Sequence, residues 1–290
     1  ATVAEFERAH GKVPGGELAI LALGRFGGEA LTHASDLDLI LLFSGDHGEE
    51  SDGARPLGAT QYFNRLAQRV VGALTVATAS GALYEVDTRL RPSGAQGLLC
   101  VSFESFAKYQ REEAWTWEHM ALTRARPVYG SPSARTKLKE IIAETLVAPR
   151  DAKKLTEDIV KMRGDMATHK PPKGPLDVKL LPGGLVDAEF TIHALQLRHA
   201  KGLHPQLDKA SDELVSTGLL PEGFGQAQAL LTRLLVMLRL VAPDCETPSE
   251  PAQAVVAKAL GFANWGDVMA AIEAARSLIS AEWQGIGQRM

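Results

Sequence analysis

The sequence predicts an α+β fold in two halves, a sheet-containing half followed by a mostly α-helical bundle. Three observations predict it. Apolar runs at residues 18–23 and 37–43 are short and continuous, as buried strands are. Tyr62, Leu66, Val70 and Leu74 recur at helical spacing. From about Ser131 strand signals give way to helical periodicity in one segment after another.

Taken in order, a short glutamate-bearing helical stretch precedes the strand at 18–23, and Gly24-Arg25-Phe26-Gly27-Gly28 forms a breaker-rich turn between that strand and the one at 37–43. An amphipathic helix is expected over 60–77 and a strand over 83–90. Helices are expected at 135–146, 155–166, 186–198, 227–240, 252–260 and 265–283. Residues 168–175 contain three prolines, which remove amide donors and fix φ, so an exposed loop is expected there. The halves divide into a catalytic domain over 1–130 and a docking or regulatory helical domain over 131–290. No repeat of fixed period and no low-complexity tract is visible.

A content of 45% hydrophobic residues in 290 supplies a sizeable core. The formal charge of -4 gives no global attraction for a phosphate backbone, and no basic stripe is evident, so nucleic acid is not the expected partner. Cys100 and Cys245 stand far apart without metal-ligand spacing, which fits a reducing compartment, the cytoplasm. The longest apolar run, around residues 229–242, contains Arg233 and Arg239 and falls short of the roughly 20 residues a membrane span needs. It reads as a buried helix. The first residues lack the basic and apolar regions of a secretory signal. Beginning on Ala rather than Met, with a helical stretch ahead of the first strand, suggests a fragment of something longer, although removal of an initiator Met would look the same.

The most informative stretch runs from Gly27-Gly28 to Ser35-Asp36-Leu37-Asp38-Leu39. Asp36 and Asp38 are two apart at the mouth of an apolar strand, and the period of two points both carboxylates to one face. Two like charges side by side repel unless a cation lies between them, and hard oxygen ligands suit Mg²⁺ or Mn²⁺ holding a nucleotide phosphate. Glycines before the pair let a backbone approach a phosphate closely. Taken singly, an Asp-x-Asp is a solvated strand end and a Gly-Gly is a turn; joined between two strands, they resemble the nucleotidyltransferase superfamily that includes DNA polymerase beta. That resemblance implies a palm-like sheet and a third acidic residue on another strand, and Asp87 supplies it. In the expected strand Glu85, Asp87 and Arg89 share one face.

A narrower resemblance rests on Leu83-Tyr84-Glu85-Val86-Asp87-Thr88-Arg89-Leu90-Arg91-Pro92, Ser105-Phe106-Ala107-Lys108-Tyr109-Gln110, Glu113-Ala114-Trp115-Thr116-Trp117-Glu118-His119, Arg124-Ala125-Arg126 and Gly183-Gly184-Leu185-Val186-Asp187-Ala188-Glu189-Phe190. Together these resemble the bacterial glutamine synthetase adenylyltransferase family. The Trp-rich run is similar to the AMP-adding copy of its two related catalytic domains.

The resemblance implies transfer of AMP from ATP to a tyrosine of glutamine synthetase, with two metal ions stabilising attacking and leaving oxygens. It implies Asp36, Asp38 and Asp87 as catalytic and metal-holding residues, with Gly27, Gly28, Ser35, Arg89 and Arg91 contacting the nucleotide. Ordinary surface ion pairing is the alternative for the two arginines, and packing is the alternative for Trp115, Trp117 and His119. Implied partners are glutamine synthetase, ATP, and the PII signal protein and glutamine as regulators, with no membrane. Two other readings stay open: the phosphorolytic, AMP-removing domain of the same family, and a non-catalytic nucleotide- or partner-binding module. Gly183-Gly184 with Asp187 and Glu189 reads as a helix start, acidic residues being favoured near its positive end.

Overall fold

In a computed structural model that describes residues 1–287, the chain is α+β and divides into two compact units, Ala1–Ala148 and Pro149 onward. The first contains α1 (Thr2–His10), β1 (Leu18–Ala22), a single helical turn α2 (Gly24–Gly27), β2 (Leu37–Phe43), α3 (Ala59–Leu74), β3 (Val86–Asp87), β4 (Cys100–Ser102), α4 (Phe103–Glu112), α5 (Thr116–Leu122), β5 (Arg126–Tyr129) and α6 (Pro132–Val147).

The strands form one mixed sheet. Antiparallel pairs join β5 to β1 and β1 to β2, the latter in the register Leu18↔Phe43 to Ala22↔Leu39. The other edge of β2 is shared by two parallel neighbours, β3 at Leu37↔Val86 and Asp38↔Asp87, and β4 from Leu41↔Cys100 to Phe43↔Ser102. Alternation sorts the faces: Leu39, Leu41 and Phe43 join Leu18 and Ala22 in a core with Phe6 of α1 and Tyr62, Phe63 and Leu66 of α3. Phe43 stacks on Phe63 at 4.6 Å between ring centroids. Asp38 points to the opposite face with the buried Ile40 and Leu42.

Two expectations change here. The strand expected over 83–90 shrinks to Val86–Asp87, because only those residues find a ladder partner on β2. Division of the chain falls after Ala148, not after residue 130, because α6 packs against β5, α4 and α5. Its N-terminus is tied in as well, with Ser131 capping the Ala134 amide while its own amide donates to Glu17 at the start of β1.

The second unit is helical: α7 (Ala152–His169), α8 (Leu185–His199), α9 (Leu207–Ser216), α10 (Phe224–Val241), α11 (Glu250–Leu260) and α12 (Trp265–Ile286). At its centre α8 is buried on nearly every side, touched by α7, α9, α10 and α12. The proline-rich stretch is exposed as expected, except that α7 runs on through Thr168 and His169. By length and composition α10 alone among the described helices would pass for a membrane span, and α11 with α12 would do so only as a bent pair. Leu231 and Leu234 of α10 are buried against its neighbours in the bundle.

Gly183 and Gly184 stand where a Cβ would meet the Arg276 carbonyl of α12 at 2.1 Å and the Val178 carbonyl at 2.6 Å. Asp187 accepts the Gly183 amide at 2.6 Å and the Arg163 Nε at 2.5 Å, both side chains being buried. The motif therefore starts and locks a helix, as the sequence suggested.

Candidate active site

Parallel pairing places Asp38 and Asp87 side by side on neighbouring strands, with side chains on the same face, and Asp36 lies two residues before Asp38 at the strand mouth. Asp36 is exposed, whereas Asp38 and Asp87 are half-buried. Burial, followed by the charges of Asp87 and Asp36, pushes the Asp38 carboxyl above its ordinary range, and Arg124 and Arg89 pull it down. Asp87 moves the other way, held low chiefly by the hydrogen-bonded Arg89 guanidinium. The two adjacent carboxylates are thus poised oppositely.

Arg89 folds back onto Asp87, its Nε reaching both carboxylate oxygens at 3.0 and 2.9 Å while its amide donates to Oδ1 at 2.8 Å. That pairing takes up the carboxylate, and among the described residues no three His, Cys, Asp or Glu side chains are grouped to hold a metal ion. The donor chemistry nevertheless suits a hard divalent cation: the paired Asp38 and Asp87 offer carboxylate oxygens, and Asp38 carries like-charge repulsion from Asp87 and Asp36 that such an ion would offset.

Arg91 is a staple. Its guanidinium donates to the carbonyls of Thr88, Ala95 and Gly97 at 2.8, 3.1 and 3.3 Å, closing the loop after β3. Ser35 is buried, and its Oγ accepts the Thr32 amide at 3.0 Å, shaping the turn that delivers Asp36.

The glycine turn differs in detail from the sequence expectation. The Gly27 and Gly28 amides donate to Leu23 and Gly24 carbonyls at 2.8 and 3.1 Å, inside the turn. A Cβ on Gly27 would lie 2.0 Å from the Arg124 carbonyl, so this glycine admits the close passage of another backbone segment. It is Gly24, at φ 54°, that meets the acidic residues: a Cβ there would fall 2.2 Å from Asp38 Oδ2. From the sequence, Gly24 reads only as part of the turn and Arg124 only as part of the run that carries the family resemblance, with neither given a place beside the acidic residues. The signal for Gly24 was its place immediately after a strand.

Packing does not account for Trp115 and Trp117, which are 70% and 40% exposed. Trp115 precedes α5 as its N-cap residue, and buried Glu118 reaches back to accept its amide at 2.9 Å and the Tyr109 hydroxyl at 3.2 Å. Burial pushes the Tyr109 hydroxyl above its ordinary range, opposed by the nearby Ser93 backbone. His119 bonds the Gln110 carbonyl at 2.9 Å. Two clefts of about 420 and 370 Å³ in this unit are lined by neither Asp36, Asp38 nor Asp87.

A mixed sheet with helices on it and an acidic pair at the mouth of a strand defines a nucleotidyltransferase-like α+β unit. The family model for glutamate-ammonia ligase adenylyltransferase matches residues 2–141, and that for GlnD PII-uridylyltransferase matches residues 153–284. A bifunctional glutamine synthetase adenylyltransferase/adenylyl-removing enzyme of Brucella suis is 52% identical over 191 residues, 66% of this chain and 19% of the relative. Proteins of the same description from Rhizobium meliloti and Xanthobacter autotrophicus are 50% identical over 198 residues and 44% over 263, covering 68% and 87% of this chain and 20% and 26% of the relatives. Residues 2–141 belong to the glutamate-ammonia ligase adenylyltransferase family. The chain spans about a fifth to a quarter of the length of the curated relatives it matches.

Proposed function

We propose that this chain transfers AMP from ATP to a tyrosine of glutamine synthetase, with Asp36, Asp38 and Asp87 holding Mg²⁺ or Mn²⁺. The observation that carries the reading is the register Asp38↔Asp87, which sets the third carboxylate beside the acidic pair in a segment matched to that family. Bound there, a divalent ion would supply Lewis-acid stabilisation of charge on the transferred phosphoryl group and ease loss of the acceptor proton. Of the chain's own groups, Asp38 lies half-buried against the Gly24 turn, and Asp87 is the carboxylate nearest a neutralising cation, Arg89. Release of Arg89 from Asp87 frees a guanidinium for phosphate oxygens while opening the carboxylate to metal. Exposed Trp115 and Trp117 offer aromatic surface to a tyrosine-bearing segment. The second unit serves as a docking and regulatory scaffold, with the PII signal protein and glutamine as effectors; its match to a PII-uridylyltransferase family supports an input of that kind. The setting is the cytoplasm, in keeping with two free thiols.

Incubation with purified glutamine synthetase, Mg²⁺ and α-labelled ATP should label the synthetase, and the label should disappear with Asp38→Asn. A second reading, phosphorolytic removal of AMP, is favoured by one observation: Arg89 brings a cation to Asp87, where inorganic phosphate would stand in place of a neutral tyrosine. Phosphate-dependent ADP release from modified synthetase, without labelling from ATP, would replace the first reading with the second.

A further inference from the structure

The Arg124-Ala125-Arg126 run contributes to the family resemblance, and the proposed chemistry gives it no role. Its geometry converges on the glycine turn. From β5, Arg126 Nε donates to the Gly27 carbonyl and a terminal nitrogen donates to the Phe26 carbonyl, both at 3.0 Å. The same guanidinium lies 3.4 Å from the Glu29 carboxylate and 5.9 Å from the Phe26 ring centroid. Side-chain contacts of Arg126 thus fall on three residues of this stretch, Phe26, Gly27 and Glu29. Arg124 adds the backbone: its carbonyl passes so close to Gly27 that a Cβ would meet it at 2.0 Å.

This turn needs outside support. A four-residue helix closes too few hydrogen bonds to hold itself. Its last carbonyls point away from the turn with partial negative charge, where a cation is favoured. Glu29 follows in the left-handed region at φ 56°, an uncommon conformation for a residue with a side chain. At the opposite end, Leu23 donates its amide to the Asp38 carbonyl at 2.9 Å, and Gly24 lies against the Asp38 carboxylate. The turn is therefore suspended between Asp38 on one side and Arg126 on the other.

We propose that Arg126 is a positioning residue, a clamp from β5 that fixes residues 24–29 over the acidic pair so that the triphosphate of ATP meets a preformed surface. The inference rests on the nucleotidyl-transfer reading. A planar fork suits the task because it bonds two adjacent carbonyls at once, which a lysine ammonium does less well. Arg126 touches neither nucleotide nor metal in this scheme and acts through the turn.

Arg126→Gln and Arg126→Lys in the whole chain separate the possibilities. With Mg²⁺ and glutamine synthetase, Arg126→Gln should raise the KM for ATP by about tenfold or more with a smaller change in kcat, as misplacement of a binding element does. Arg126→Lys should recover part of that loss. Hydrogen exchange at the Gly27 and Gly28 amides should quicken in Arg126→Gln while exchange in β1 and β2 stays as it was. Unchanged exchange at those two amides would overturn the clamp, and so would an unchanged KM alongside quickened exchange. A fall in kcat that tracks the fraction of unfolded protein, without rescue by lysine, would reduce Arg126 to a folding residue and overturn the proposal. A wild-type chain that neither binds nor transfers from ATP would instead sink the functional reading itself.

Discussion

Replacing Asp38 with Asn is expected to stabilise the metal-free protein while abolishing its dependence on divalent ions. Asp38 is flanked by Asp87 across the β2–β3 pair and by Asp36 along the chain. Neighbouring strands lie about 4.8 Å apart. Carboxylates on them, at about 6 Å, repel by roughly 0.7 kcal/mol at the dielectric constant of water and nearly 3 kcal/mol at an effective value of about 20. Half-exposure of the groups and the opposing pull of Arg124 and Arg89 bring the net toward the lower end. A gain of about 1 kcal/mol follows, or about 2–4 °C in the melting of a unit this size. The sign of the pH dependence is set by the raised carboxyl. Folded protein binds this proton more tightly than unfolded chain does, so the stability it contributes is complete below the unfolded value of about 3.9 and is lost as pH rises through the folded one. The advantage of the variant should therefore be absent near pH 4, grow with pH and then level off. Adding Mg²⁺ should reverse the order, because binding to the native state stabilises the wild type alone. Thermal melts across this pH range, in chelator and in Mg²⁺, test each step. A variant less stable than wild type at neutral pH in chelator, or equally stabilised by Mg²⁺, would refute the reasoning.

Arg89→Met removes the cation that competes for Asp87, so Mn²⁺ titrated in the absence of nucleotide should bind a few-fold more tightly; weaker binding would mean that Arg89 supports the metal site. Gly27→Ala drives a methyl into the Arg124 and Ala22 carbonyls, at 2.0 and 2.6 Å, and should cost the first unit roughly 1–3 kcal/mol or more in denaturant melts. Asp187→Asn leaves Arg163 buried beside a neutral partner and should cost about 3–5 kcal/mol. That loss should appear in the second unit, with hydrogen exchange in the sheet of the first unit unchanged.

Continuous apolar runs made β1, β2 and the sense of α3 legible in the sequence, and alternation put Asp36 and Asp38 on one face. Shorter elements were hidden. β4 has three residues, too few for any period, and β5 contains Pro127 between Arg126 and Val128, which the edge of a sheet accepts but a central strand would not. The polar α9 also passed without notice between two more apolar helices. At the candidate site, the neighbourhood of Asp38 and Asp87 was readable because one belongs to a clear apolar strand and the other to a run read as a strand, although only two of its residues pair. Partners that decide the role of each glycine and arginine were not. Gly27 is explained by Arg124, 97 positions away, and Arg91 by carbonyls of a loop with no regular pattern. The domain boundary was placed too early for a similar reason, since nothing within α6 announces that it packs on β5.

The shortness of β3 has a consequence of its own. Asp87 is carried on two paired residues, with the Leu37 amide bonded to the Glu85 carbonyl at 2.8 Å, while residues 75–85 before it form no helix or strand. Opening so brief a ladder takes far less free energy than unfolding the sheet. Asp87 therefore sits on the part of the sheet expected to open first, while Asp38 is carried on a strand that also pairs with β1 over five residues. On the proposed chemistry, a change that frays residues 84–88 is expected to slow turnover without unfolding β1 and β2.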